Sequence, residues 1–326
     1  MLQPESLIRP HDMASRGYAA TIGFFDGVHL GHRFLLEKLR HIAAEQELGS
    51  MVITFDRHPR QVVDTQWQPA LLTTTEEKAR LLADASLDRV VVMPFTEQLA
   101  RLSAHDFMER VLVGQLGVRV LLTGYDNRFG HRREEGFADY VAYGRELGIG
   151  VVQAPSLSTA GLCYSSSMAR RRLAEGDVAG AATVLGRCYT LSGMVVHGHE
   201  IGRRLGFPTA NVQPDDPLKL IPRTGVYAVW AMLHEGHGRL PLSYAAVMNI
   251  GHRPTFAGDG LTLEVHLLDF AGDLYGRRLT VAFAARLRDE RRFGTAADLA
   301  RQMDADVCSA RELLVTPPTN LNTLLL

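Results

Sequence analysis

Lysine is nearly missing from this 326-residue chain: Lys38, Lys78 and Lys219 are its only three, so almost all positive charge is arginine. Phosphate chemistry here therefore falls to arginine, histidine, backbone N–H groups or a metal. Cysteine is as sparse. Cys163, Cys188 and Cys308 are odd in number, widely spaced and without a CxxC pair. That pattern gives neither a disulfide framework nor a zinc motif and fits a reducing cytosol. No apolar run approaches the ~20 residues that cross a bilayer. The N-terminal MLQPESLIRPHD carries an early acid and no apolar segment of signal-peptide length, so the chain reads as cytoplasmic and soluble. A basic excess is absent too: the formal net charge of −1 speaks against a general nucleic-acid binder. No GxxxxGK[ST] loop occurs, which excludes a Walker-type phosphate site.

What is there divides into two patterns. Residues 18–24, 51–55, 89–95, 118–124 and 150–155 are short runs rich in Val, Ile, Thr and Phe that stop at Gly or Pro, and they read as strands. Helical patterns separate them, from Gly31 to Leu48 with Leu35, Leu39 and Ile42 on one face, after Thr75, and from Ala104 to Leu116. Strand–helix alternation predicts parallel strands with both sheet faces covered, and ligands at the carboxyl ends of the strands. After Leu185 the runs 187–197, 225–233, 243–251, 261–268 and 278–288 follow one another with Gly- and Pro-rich connections such as 197–211, which predicts a barrel or sandwich. A last helix is predicted from Thr295 to Leu314 through Leu299, Met303, Val307, Leu313 and Leu314. The domain boundary falls near Leu185–Arg187, giving domains 1–185 and 186–314 and a tail, 315–326.

The segment GFFDGVHLGH (23–32) ends the first strand and opens the first helix. A helix N-terminus offers unpaired N–H groups and a positive dipole end, which suits a phosphate. His29 and His32, three apart, share a face of that turn and could stabilise charge in phosphoryl or nucleotidyl transfer. A lone histidine there would more often cap or fill the turn; HxGH at a strand-to-helix junction points to function. In the second half, GMVVHGHEIGRRLGFPTANV (193–212) runs from a β-like stretch into a loop with Gly198, Gly202 and Gly206, then Pro208, Thr209 and Asn211. Small oxygen-bearing side chains beside a Gly-rich loop can serve a hard cation and phosphate oxygens. Such a loop alone reads as a plain strand connection.

These segments carry a resemblance. HxGH after a first strand is similar to the nucleotidyltransferase signature. The longer GFFDGVHLGH, with TFDRHP (54–59), GYDNRFG (124–130) and YSSSMARRRL (164–173), resembles the FAD synthetase branch. PTAN, NIGHRPTF (249–256), LEVHLLDFAGDLYG (263–276) and LRDERRF (287–293) resemble riboflavin kinase. The likeness is to the bifunctional riboflavin kinase/FMN adenylyltransferase family. It implies a Rossmann-like α/β nucleotidyltransferase domain followed by a mostly-β kinase barrel with C-terminal helices.

In the first domain it implies that His29 and His32 hold ATP phosphates while the FMN phosphate attacks. Gly23, Phe24, Asp26, Gly27, Asp126, Ser166, Ser167 and Arg170 would line the ATP site, with Arg170 catalytic, and His58 would lie near the flavin. In the second it implies that Thr209 and Asn211 serve magnesium, Gly198, Gly202, Gly206 and Pro208 serve ATP, Glu264 is the base toward the riboflavin 5′-hydroxyl, and Arg288, Glu290 and Phe293 close over the flavin. The substrates and products implied are ATP, riboflavin, FMN and FAD, with Mg²⁺ accompanying ATP, no nucleic acid and no membrane; oligomeric state is not readable. Three departures are visible. Asn127 stands where the family usually has an aromatic, Ala169 where it usually has isoleucine, and Ser167 where threonine is frequent, the last keeping the hydroxyl. Asn127 and Ala169 keep open one rival, a monofunctional kinase with a decayed first domain; a second, of a different class, is a non-catalytic flavin-binding regulatory protein.

Overall fold

The computed structural model describes residues 5–8, 16–64, 66–68, 70–159, 162–197, 206–234, 241–255 and 258–318. The chain forms two compact units, Met1–Ser165 and Ser166–Leu326.

The first unit is built on strands β1 (Glu5–Ile8), β2 (Tyr18–Ile22), β3 (Gly49–Phe55), β4 (Arg89–Met93), β5 (Val118–Thr123) and β6 (Gly150–Gln153), followed by a separate antiparallel pair, β7 (Ser158–Thr159) and β8 (Leu162–Cys163). Its helices are α1 (Leu30–Glu45), α2 (Pro59–Val63), α3 (Thr75–Ala83), α4 (Glu97–Ala100), α5 (Ala104–Asp106) and α6 (Phe137–Leu147). The sheet order is β1-β4-β3-β2-β5-β6, parallel throughout except for β1 on the edge. The central strand β3 is buried along its whole length, which is why it reads as an unbroken apolar run rather than an alternation. Its two polar side chains are satisfied: Ser50 Oγ donates to Asp88 at 2.6 Å and Thr54 Oγ1 to the Phe24 carbonyl at 3.0 Å. From β2 the chain builds outward first toward β3 and β4, then on the other side toward β5 and β6. The crevice between the carboxyl ends of β2 and β5 is thus the topological switch point, where open α/β sheets bind ligands.

The helix expected over 104–116 starts at Ala104, but Phe107–Val113 is wound wider, with Gly114 N–H bonding the Glu109 carbonyl and Leu116 N–H that of Val111. These five-residue steps bring the adjacent pairs Phe107/Met108 and Val111/Leu112 to the core together.

The second unit opens with α7 (Ser166–Glu175) and α8 (Val178–Leu185). A closed antiparallel barrel follows, made of β9 (Tyr189–Val196), β10 (Ala210–Pro214), β11 (Gly225–Leu233), β12 (Leu242–Thr255), β13 (Gly258–Leu267) and β14 (Arg278–Arg288), in the order β10-β13-β12-β11-β14-β9. Closure leaves no exposed sheet edge. Helix α8 buries Val178, Ala181, Val184 and Leu185 and packs on β9 and β14. The stretch 197–211, expected to be connection only, gives way to a strand at Ala210. Ala210 and Val212 turn inward, and β10 is paired on both sides by β9 and β13.

One long helix, α9 (Ala296–Leu313), closes the unit. Its buried face differs from the apolar pattern in the sequence: Leu313 is exposed, whereas Asp306 is buried. The burial is explained by Arg288 at the end of β14, whose guanidinium grips the Asp306 carboxylate bidentately at 2.7–3.1 Å.

Candidate active sites

In the first unit the GFFDG turn is clamped before any ligand is considered. Asp26 is buried, and its carboxylate accepts from the Leu72 N–H, the Thr73 N–H and the Thr73 hydroxyl at 3.0–3.1 Å. Thr73 Oγ1 in turn accepts from Gly27 N–H at 3.0 Å. Asp26 thus holds the turn against residues 71–73. The clamp supports a strained backbone: Phe25 and Val28 both have positive φ, +54° and +35°, which a β-branched residue adopts only when its surroundings over-determine it. The result is that α1 starts at the switch point with His29 as its cap, Nδ1 accepting from His32 N–H at 3.3 Å. The His29 and His32 rings stack, centroids 3.6 Å apart, and the first turn of α1 holds no acidic residue. Gly31 is required for this approach, because a Cβ there would lie 2.7 Å from the Tyr164 carbonyl oxygen.

Asp126 sits in the exposed turn directly after β5, and its neighbour Asn127 donates its carboxamide to the Ile22 carbonyl at 2.5 Å. Asn127 therefore ties the end of β5 to the end of β2, across the switch point itself.

Beside this junction lies a cavity of about 800 Å³, with Gly23, Phe24, Phe55, His58, Phe107 and Phe129 in its wall. His58 caps α2 through a capping box with Gln61 and meets Phe24 edge-on at 4.7 Å. A volume of this size with aromatic walls suits a flat, polycyclic ligand. Phe55, Phe95, Phe107 and Phe129 line it and escaped the sequence reading, because single phenylalanines next to strands look like core.

Lys78 escaped it as well. It is almost fully buried on α3; its Nζ donates to the Phe55 carbonyl at 2.7 Å and lies 3.8 Å from the Phe24 ring centroid. Burial lowers its pKa from 10.5 to about 8, against the opposing pull of Asp26 and Asp56. Below pH 8 both folded and unfolded chains carry the charge and the folded state bears the full desolvation cost; between pH 8 and 10.5 only the unfolded chain holds the proton, and the cost fades. The stability of the parent chain relative to Lys78→Met should therefore rise over that window, by up to about 3 kcal/mol. Urea unfolding of both proteins from pH 7.5 to 10.5 checks this, and a difference that stays flat rules it out.

The second unit opens with residues expected to serve adenylylation: Ser166 and Ser167 start α7, and Arg170 lies one turn on, with the intervening Ala169 fully buried. Its barrel carries the other constellation. There, Asn211 on β10 stands opposite Glu264 on β13, which stands opposite Asn249 on β12. The residues on either side of each, Ala210 and Val212, Leu263 and Val265, Met248 and Ile250, are buried. The three polar side chains therefore form one cross-strand row on the barrel's outer face. Thr209 precedes the row. Pro208 is fixed above it, its carbonyl accepting from His266 Nδ1 at 2.8 Å while Phe207 meets the same ring edge-on.

Gly206 has φ +87° at the start of this segment; Gly198 and Gly202 lie outside the described residues. Glu290 reaches β12 as well: a Cβ on Gly251 would lie 2.3 Å from its Oε1 and 3.2 Å from Asn249 Nδ2. Arg288, held by Asp306, has its guanidinium 5.8 Å from the Phe293 ring centroid. Asn249 was missed for lack of register: its place opposite Glu264 exists only once β12 and β13 are paired.

An HxGH helix start at the switch point of a parallel sheet, followed by a closed barrel with an Asn-Glu-Asn row, is the architecture of a two-part transferase. The FAD synthetase family model matches residues 11–168 and the riboflavin kinase family model residues 185–314. The chain belongs to the bifunctional riboflavin kinase/FMN adenylyltransferase family. It is 43% identical over 299 residues to the member from Pseudomonas fluorescens, covering 91% of this chain and 93% of that one. To the member from Escherichia coli K12 it is 42% identical over 298 residues, covering 91% and 92%. The crystal structure of a protein named "Macrolide-efflux Protein" from Streptococcus pneumoniae superposes with a TM-score of 0.81 at 27% identity, covering 90% of this chain and 94% of that one. Among the described residues of this chain, no helix is long and apolar enough to cross a membrane.

Proposed function

We propose that the chain converts riboflavin to FMN in its barrel and FMN to FAD in its α/β unit, each step consuming one ATP. In the first, the riboflavin 5′-oxygen attacks the γ-phosphorus, its proton goes to Glu264, and ADP leaves. In the second, an oxygen of the FMN phosphate attacks the α-phosphorus, forming the new P–O–P link as the bond to the β-phosphate oxygen breaks and pyrophosphate departs. The observation that carries the reading is the cross-strand row, which sets a carboxylate beside Asn211 at the end of the Pro208–Thr209 segment.

Thr209 and Asn211 bear the hard oxygen donors that Mg²⁺ favours, and the ion would screen phosphate charge there. His29, His32 and the N–H groups of the first turn of α1 serve the ATP phosphates in the second step. Arg170, Ser166 and Ser167 are assigned to the same step, Asp126 to the nucleotide, and His58 with the aromatic cavity to the flavin. In the kinase step, Gly198, Gly202, Gly206 and Pro208 are assigned to ATP, and Arg288, Glu290 and Phe293 to the flavin. The functional boundary is placed at Leu185–Arg187, and both reactions in the cytoplasm. Against a decayed first domain stands Asn127, whose carboxamide secures the switch point where an aromatic ring would otherwise stand.

Incubation with riboflavin, ATP and Mg²⁺, followed by chromatography, should show FMN first and FAD later. FMN alone after long incubation with excess ATP selects the decayed-domain rival.

A further inference from the structure

At the mouth of the aromatic cavity the chain runs Arg128-Phe129-Gly130-His131-Arg132-Arg133. This loop is held tightly. His131 N–H bonds the Leu102 carbonyl at 2.8 Å, Phe129 N–H bonds the Tyr140 hydroxyl at 3.0 Å, and Arg133 Nε donates to the Arg128 carbonyl at 3.1 Å. Arg132 and Arg133 both adopt left-handed backbone, φ +56° each. Two successive non-glycine residues in that region cost energy that the loop's internal bonds must offset, and the conformation secures nothing in the core, since both side chains are exposed.

What it does is place cations beside an apolar chamber. Elsewhere on the rim, Arg101 is matched by Glu97 at 3.3 Å and Arg60 by Asp64 at 3.5 Å. Among the described residues no carboxylate lies within ion-pair distance of Arg128, Arg132 or Arg133, and the guanidinium groups of Arg128 and Arg132 make no hydrogen bond to protein.

A pocket with aromatic walls and unmatched guanidinium groups at its mouth is complementary to a flat polycycle that carries an anion on a short chain. Guanidinium forks suit phosphate oxygens. We propose that Arg128, Arg132 and Arg133 clamp the terminal phosphate of the flavin in the adenylyltransferase unit, and that this clamp is what lets that unit accept FMN and refuse unphosphorylated riboflavin. The proposal rests on the FMN-adenylylating role given above. It assigns to this loop a flavin phosphate, distinct from the ATP phosphates assigned to α1.

The test uses the full chain, with initial rates of FAD formation from added FMN and ATP. Arg132→Gln should raise the KM for FMN about 10-fold and Arg128→Gln/Arg132→Gln about 100-fold, one charged contact at a time. The KM for ATP and the rate of riboflavin phosphorylation should hold within two-fold. Arg132→Lys should recover most of the loss, and the KM for FMN should climb with salt more steeply in the parent than in the double variant, neither of which a merely structural role would produce.

A KM for FMN within two-fold of the parent in the double variant overturns the clamp. So does a KM for ATP that rises in step with it, which would give the loop to the triphosphate. If the parent chain itself forms no FAD from added FMN, the adenylyltransferase reading falls, and the clamp falls with it; a parent that forms FAD separates the two failures.

Discussion

Glu264→Gln is expected to slow riboflavin phosphorylation by roughly 10²- to 10⁴-fold, the range for loss of a general base. Glutamine keeps the length and one acceptor oxygen but takes no proton. The position of Glu264 makes the substitution informative. Its strand neighbours Leu263 and Val265 are buried and keep the strand in place, while its own side chain stands in the outward row with Asn211 and Asn249. The exchange therefore removes a proton acceptor without disturbing the barrel core, and adenylylation of added FMN should be nearly unchanged. Single-turnover phosphorylation, with folding followed by circular dichroism, measures the effect. A glutamine variant within a few-fold of the parent removes Glu264 from the mechanism.

The second large effect is expected in the other unit. His32→Ala should depress FAD formation from added FMN by about 10²- to 10³-fold, the usual loss when a donor to developing charge is removed, with FMN formation from riboflavin near normal. His32 is a cleaner choice than His29. The cap on α1 is the His29 ring accepting from the backbone N–H of His32, and that N–H survives the alanine substitution, whereas His29→Ala would lose the cap together with the imidazole. Loss of both activities to the same extent in a well-folded variant would show that the histidine pair is not confined to adenylylation.

The sheet of the first unit was legible because its inner strands β2 to β5 are largely buried and read as near-continuous apolar runs. The exposed edge strand β6 was legible only as a short run between Gly148 and Pro155, and β2 to β6 all begin and end within about two residues of the expected runs. The barrel strands β9, β11, β12, β13 and β14 were legible too, as β-like runs separated by Gly- and Pro-rich connections. Strand β10 was not, since it offers only two inward residues, Ala210 and Val212, before Pro214, and its conformation is imposed by β9 and β13 on either side. Strand β1, four residues pairing at the sheet edge, was equally silent.

The site divides in the same way. Candidates carried by a contiguous motif, His29 with His32 in HxGH or Thr209 with Asn211 in PTAN, could be named from the sequence. Those that depend on register or on a shared cavity could not: Asn249 needs its partner strand, Phe95 and Phe107 need the chamber they enclose, and Lys78 needs the fold that buries it. The buried carboxylate of Asp306 was hidden for the same reason, because its partner Arg288 is eighteen positions away in sequence on another element.

The scarcity of lysine takes on a practical meaning once burial is known. Lys78 and Lys219 are both buried, the latter with its ammonium 4.9 Å from the Tyr189 ring centroid, whereas Lys38 is exposed on α1 and leans over Phe34. Lys38 is therefore the only lysine open to an amine-directed reagent in the folded protein. A fluorophore coupled there would sit on the helix that begins at the HxGH turn, without a cysteine or an unnatural residue having to be introduced. The nucleotide capture proposed for that turn could then be looked for optically without a substitution in the chain.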